Sequence, residues 1–169
     1  MRTAPLLSGV LLLAAATAQV STSASDVGLT LTGLSTTNAA IGQICGAFSC
    51  TPFTAPAVAA GSTRVITHWG AAGSPFVIAI SLLPATPMCL PFPGIGNAVV
   101  LDLPPVTLAI GATLPTGLST TVCQVTQGRA TLVMPAGVPP GIGFRLQSIG
   151  MSAALQGPAF TRAIDSVTQ

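Results

Sequence analysis

The chain has no Lys, no Glu and no Tyr, and its formal charge comes from five arginines and three aspartates among 169 residues. One histidine, His68, stands beside the one tryptophan, Trp69. Each shortage excludes something. Acid–base, nucleophilic and metal chemistry draw on residue types that are nearly missing here. The expectation is therefore a protein that is not an enzyme and carries no metal or cofactor. Arg64, Arg129, Arg145 and Arg162 are scattered and form no basic stripe, so nucleic acid is not an expected partner. Beyond the N-terminus no apolar run reaches the roughly 20 residues of a membrane span. Residues 76–83 come nearest and stop at Pro84.

The first residues, MRTAPLLSGVLLLAAATAQ, have the layout of a Sec-type signal peptide. Arg2 supplies the positive start, residues 6–16 the apolar stretch, and Ala16-Thr17-Ala18 the cleavage site. This predicts a leader over 1–18 and a mature chain over 19–169, secreted or held at the cell surface, with no transmembrane segment left. No cysteine follows closely to accept a lipid, and no twin arginine is present.

Half of the residues are hydrophobic, with 18 Gly and 15 Pro. Disorder calls for low hydrophobicity and high charge, the opposite of this composition. The length suits one domain with a real core. Its neutral Ser/Thr/Gly/Ala surface offers little repulsion between copies, which fits a monomer or weak self-association.

Cys45, Cys50, Cys89 and Cys123 are an even set in an exported chain and read as two disulfides. The four-residue spacer after Cys45 can turn back on itself, which favours Cys45–Cys50 and leaves Cys89–Cys123. A zinc site is the weaker reading of the same residues, given export to an oxidising compartment.

Pro and Gly interrupt nearly every long window, so helices are disfavoured. Strand patterns recur instead at 27–34, 63–69, 75–83, 98–103, 106–110, 120–126, 129–134, 142–149 and 160–167. About nine short strands split by Gly/Pro/Asn/Ser turns predict an all-β, Greek-key, immunoglobulin-like β-sandwich. Residues 75–83 are apolar on both alternating faces and should be a central strand, covered on both sides. In 142–149, Ile142, Phe144 and Leu146 should face the core, and Arg145 and Gln147 the water.

Several features occur in order: a short Cys pair, an apolar strand ending Leu-Leu-Pro, a Pro/Gly-rich middle with Cys89, the pattern G-x-A-T-L-x-x-P at 128–135, PPGIGFRLQSIGM at 139–151, and a closing strand near 160–167. In this the chain resembles uncharacterised β-sandwich modules of secreted and cell-surface proteins of planctomycete-type bacteria. The resemblance runs from about Ile41 to the end and is strongest from Gly128. Many such modules carry Asn at the start of the last strand, where Pro158-Ala159-Phe160 stands here. The resemblance implies a sandwich fold and an extracellular place, and supplies no catalytic residue.

The plainest reading of the His68-Trp69 pair is a strand-end His beside a Trp packed over the core; two further readings involve a ligand. A hydrolase would need His68 oriented by an acid such as Asp102 beside Ser62, Ser74 or Ser81, yet the chain has no G-x-S-x-G elbow. A carbohydrate-binding module would use Trp69 as a stacking platform beside a second aromatic such as Phe76 or Phe92. The acids are far apart in sequence. Asp102 with Asp165 is a remote candidate for paired-carboxylate work, and Asp165 is better placed for a surface ion pair with Arg162. The residues favour an exported, non-catalytic β-sandwich with a structural or adhesive role, its partners envelope or matrix proteins or glycans.

Overall fold

A computed structural model describes residues 24–33, 40–83, 88–114 and 126–169, and every regular element among them is a β-strand. In chain order these are β1 (Ala24–Ser25), β2 (Gly28–Gly33), β3 (Ile41–Gln43), β4 (Gly46–Ala47), β5 (Phe53–Thr54), β6 (Thr63–Gly70) and β7 (Pro75–Leu82). They continue with β8 (Leu90–Pro91), β9 (Ala98–Val99), β10 (Val106–Ala112), β11 (Thr126–Val133), β12 (Gly143–Ser152), β13 (Gly157–Phe160) and β14 (Ile164–Val167). The expected leader, Cys123 and most of the expected strand at 120–126 lie outside the described residues.

Two sheets carry the architecture. The first runs β11-β6-β2-β3 and is antiparallel throughout. The second runs β10-β7-β12-β14-β5, with β13 also paired to β12, and only its β14–β5 pair is parallel. Leu29, Leu31, Ile66 and Leu132 from the first sheet meet Phe76, Ile78, Phe144, Leu146 and Ile164 from the second in one buried cluster. Each large aliphatic side chain buried there contributes about 1.5–3 kcal/mol. The alternation along β6 and β12 explains the layering, because period-2 side chains place one apolar face of each sheet against the other. Where β10 and β11 approach each other, Gly111 and Gly128 sit over the Phe76 ring, where a Cβ on either would strike it.

As expected, β7 is internal, flanked by β10 and β12. Its outer face is covered too, by a strap over residues 88–105. Val99, Val100 and Leu101 of the strap are buried. The expected strand at 98–103 shrinks to Ala98–Val99, because side chains of the sheet below take over its backbone hydrogen bonds. Gln147 Oε1 accepts from Val100 N at 3.0 Å, and Gln147 Nε2 donates to Ala98 O at 2.9 Å. Arg145 Nη1 donates to Val100 O at 2.8 Å, and Ser81 Oγ accepts from Asp102 N at 3.1 Å.

That strap overturns the outward reading of Arg145 and Gln147. Both point away from the core, as the alternation requires, but the strap seals them to 6% and 1% exposure. A polar side chain under an irregular segment satisfies backbone groups that have no ladder partner.

The disulfide expectation also fails, at both pairs, because Cys50 and Cys89 are bonded to each other and neither Cys45–Cys50 nor Cys89–Cys123 can form. Cys50 is bonded to Cys89, across 39 residues, with the Cα atoms 5.7 Å apart. Cys45 is likewise disulfide-bonded, so no Cys45–Cys50 bridge forms. The reason is topological. Cys50 leads into β5 at the margin of the second sheet and Cys89 leads into the strap, so the bridge ties the strap down. In the chain-entropy model a loop of that size is worth about 4 kcal/mol.

Candidate functional site

His68 lies on the inward face of β6, fully buried. Its ring stacks on Phe76, with centroids 5.0 Å apart and planes at 17°. Nδ1 is 2.9 Å from Ser148 Oγ on β12, and Ser148 Oγ is 3.2 Å from Thr161 Oγ1. Nε2 is buried without a hydrogen-bond partner. It faces Gly70 and Gly150, whose missing side chains make room for the ring. Burial in this apolar pocket lowers the His68 pKa to about 4, so the ring is neutral at physiological pH.

A serine against a histidine is the first half of a hydrolytic triad. Here both groups are sealed, Ser148 at 2% exposure and His68 at 0%. The acid that sequence reasoning offered does not join them. Asp102 is an exposed residue of the strap outside the second sheet, its Oδ1 accepting from Leu103 N at 2.9 Å. None of Ser62, Ser74 and Ser81 hydrogen-bonds His68. Ser62 Oγ donates to Ala59 O at 2.6 Å and Ser81 serves the strap. Ser148 was missed because an inward polar residue in an apolar alternation has no signature of its own.

The other acids hold structure. Asp165 does not pair with Arg162; Arg145 grips it through Nε at 2.6 Å and Nη2 at 2.9 Å. Arg162 instead lies over the Phe53 ring, 3.8 Å from the centroid, and donates to Thr51 O at 2.6 Å. Asp26 accepts from Ser152 Oγ and from Ala153 N and Ala154 N, fixing the turn after β12. Among the described residues no three His, Cys, Asp or Glu side chains cluster as a metal site would require.

Trp69 does not pack over the core: alternation along β6 turns His68 inward, and Trp69 lies half-buried on the outer surface of the first sheet. Its indole Nε1 donates to Thr30 Oγ1 on β2 at 3.0 Å, which fixes the plane of the ring. Registration places Gln127 opposite Trp69 and Arg129 opposite Thr67. Together with Thr32, Val65 and Ile44 these residues line a trough of about 460 Å³. Neither expected second aromatic is there. Phe76 is in the core, and Phe92 lies on the strap with its ring 6.1 Å from that of Phe160. Gln127 and Arg129, the polar groups beside Trp69, carry no local signal in the sequence, because only the β11–β6 register brings them to it.

No helix among the described residues is long and apolar enough to cross a membrane. Comparison with protein-family models, with curated proteins and with solved structures finds no match.

Proposed function

We propose that this is an exported, non-catalytic β-sandwich module, immunoglobulin-like with Greek-key connectivity, serving a structural or adhesive role in the cell envelope or extracellular matrix. Residues 1–18 are the leader and 19–169 the mature domain, and the planctomycete-type resemblance belongs to the same proposal. One observation carries it. The rare chemically capable side chains hold layers together: His68 joins β6 to β12, Arg145 and Asp165 join β12 to β14 and the strap, and Asp26 anchors the turn after β12. A disulfide across 39 residues supports an oxidising location. The passage of the chain between sheets from β6 to β7, and again from β10 to β11, supports the sandwich topology.

Immunolabelling of intact cells of the source organism tests the location. Surface signal is expected, and signal only after permeabilisation would contradict it. A hydrolytic activity of the purified protein that vanishes in His68→Ala while the fold persists would overturn the non-catalytic reading. A second reading, a carbohydrate-binding module built on Trp69, is favoured by the trough beside that ring.

A further inference from the structure

We infer that the Trp69 trough is a site for an acidic sugar, a uronate-bearing glycan whose ring stacks on the indole and whose carboxylate meets Arg129. The inference rests on the carbohydrate-binding reading and names its ligand class. Three observations converge on the outer face of the first sheet.

The indole is held in place before any ligand arrives. Its one polar atom is already bonded to Thr30 Oγ1, so what it offers is a fixed apolar face. Sugar rings present C–H groups to such a face, and a fixed aromatic loses little freedom on binding.

Arg129 is a cation held ready at the same trough. It is exposed, and Gln127 Oε1 accepts from its Nε at 3.3 Å and its Nη2 at 3.2 Å. That contact occupies one edge of the guanidinium and orients the group. The Nη1–Nη2 end remains, and its two parallel N–H groups match a planar carboxylate. Among the described residues no acid lines the trough, and the salt bridge belongs to Arg145 and Asp165. The trough therefore carries a net positive charge, in a chain with very few charges, and its complement is an anion.

The remaining lining suits a hydroxylated ligand. Gln127 has an amide Nε2 to donate. Val65 and Ile44 give the apolar floor and wall that a sugar's less polar face needs.

The chain has one tryptophan, so intrinsic fluorescence reports on this trough and nothing else. The oxidised mature protein is titrated with an oligogalacturonate, with a neutral oligohexose of the same length, and with a sulfated oligosaccharide. A fluorescence change with the oligogalacturonate is expected, weakened by added salt. Arg129→Gln, an exposed substitution that leaves the fold intact, should weaken it about tenfold or more, as loss of a charge-assisted pair does. Trp69→Ala, followed by calorimetry, should abolish it, and Trp69→Phe should retain part of it. Equal binding of the neutral sugar, unaffected by Arg129→Gln, would overturn the acidic-sugar inference and leave the carbohydrate-binding reading standing. Preference for the sulfated sugar would overturn the carboxylate assignment. No response to any of the three would overturn both.

Discussion

The guanidinium of Arg145 holds both carboxylate oxygens of Asp165 across the β12–β14 ladder, where the two residues are register partners, and its third nitrogen donates to Val100 O in the strap. One side chain thus links two strands of the second sheet to the segment that covers them. Arg145 has a side-chain exposure of 7% and Asp165 of 23%, so each relies on the other for much of its solvation.

Removing one member should therefore cost more than a surface pair would. Asp165→Asn or Arg145→Met should each lower stability by about 3 kcal/mol, because the charge that remains is largely buried and without its partner. The double variant should lose less than the sum of the two single losses. Denaturant midpoints of the four proteins measure both quantities.

His68 sets a pH dependence with a definite sign. Burial lowers its folded pKa to about 4 from an ordinary 6.5. The unfolded chain binds the proton first, so the native state is favoured in full above pH 6.5 and loses ground as pH falls from 6.5 to 4. The loss should amount to about 3 kcal/mol and level off below pH 4. His68→Leu, similar in volume, should flatten that segment of the stability–pH curve measured by urea unfolding. An unchanged slope would remove His68 as its cause.

Close packing around Phe76 predicts intolerance at a residue with no polar role. A Cβ on Gly128 would run into the Phe76 ring, so Gly128→Ala should destabilise by about 1–3 kcal/mol through overpacking. Gly137, with open space around its position, is the control, and Gly137→Ala should change little. Thermal unfolding of the two variants checks the contrast.

Association should depend on the disulfides and on β10. Apolar β7 is protected inside its sheet, whereas among the described residues β10 is an edge strand with Val106 63%, Leu108 37% and Ile110 75% exposed. No charged side chain lies within β10 to guard that edge. The oxidised protein should run as a monomer or weak associate on size exclusion, and reduction should drive aggregation. Ile110→Arg should delay it, since a charge on an edge strand opposes pairing between copies.

Residues 75–83 show what was legible in the sequence. An apolar run on both faces demands cover on both sides, and β7 has it. The strands Thr63–Gly70 and Val106–Ala112 were legible from local β-branched and apolar patterns between turns, whereas the expected break between 126 and 129 is bridged by the continuous strand Thr126–Val133. What failed was non-local. Arg145 and Gln147 look solvent-facing because period-2 reasoning assumes that one face of a sheet is wet, and nothing local announces a strap from fifty residues upstream. Spacing suggested Cys45–Cys50, whereas the position of the strap decides in favour of Cys50–Cys89. For the candidate site, Trp69 was visible as a conspicuous residue. Its neighbours Gln127 and Arg129 became neighbours only through the register of β11 on β6.

Export underlies the rest, because the oxidised cysteines, the surface role and the ligand all presuppose it. Mass spectrometry of the non-reduced protein recovered from its own cells tests this most directly. The expected result is a chain beginning at Gln19, with Cys50 joined to Cys89 and no free thiol. A chain still beginning at Met1, with its cysteines reduced, would contradict it.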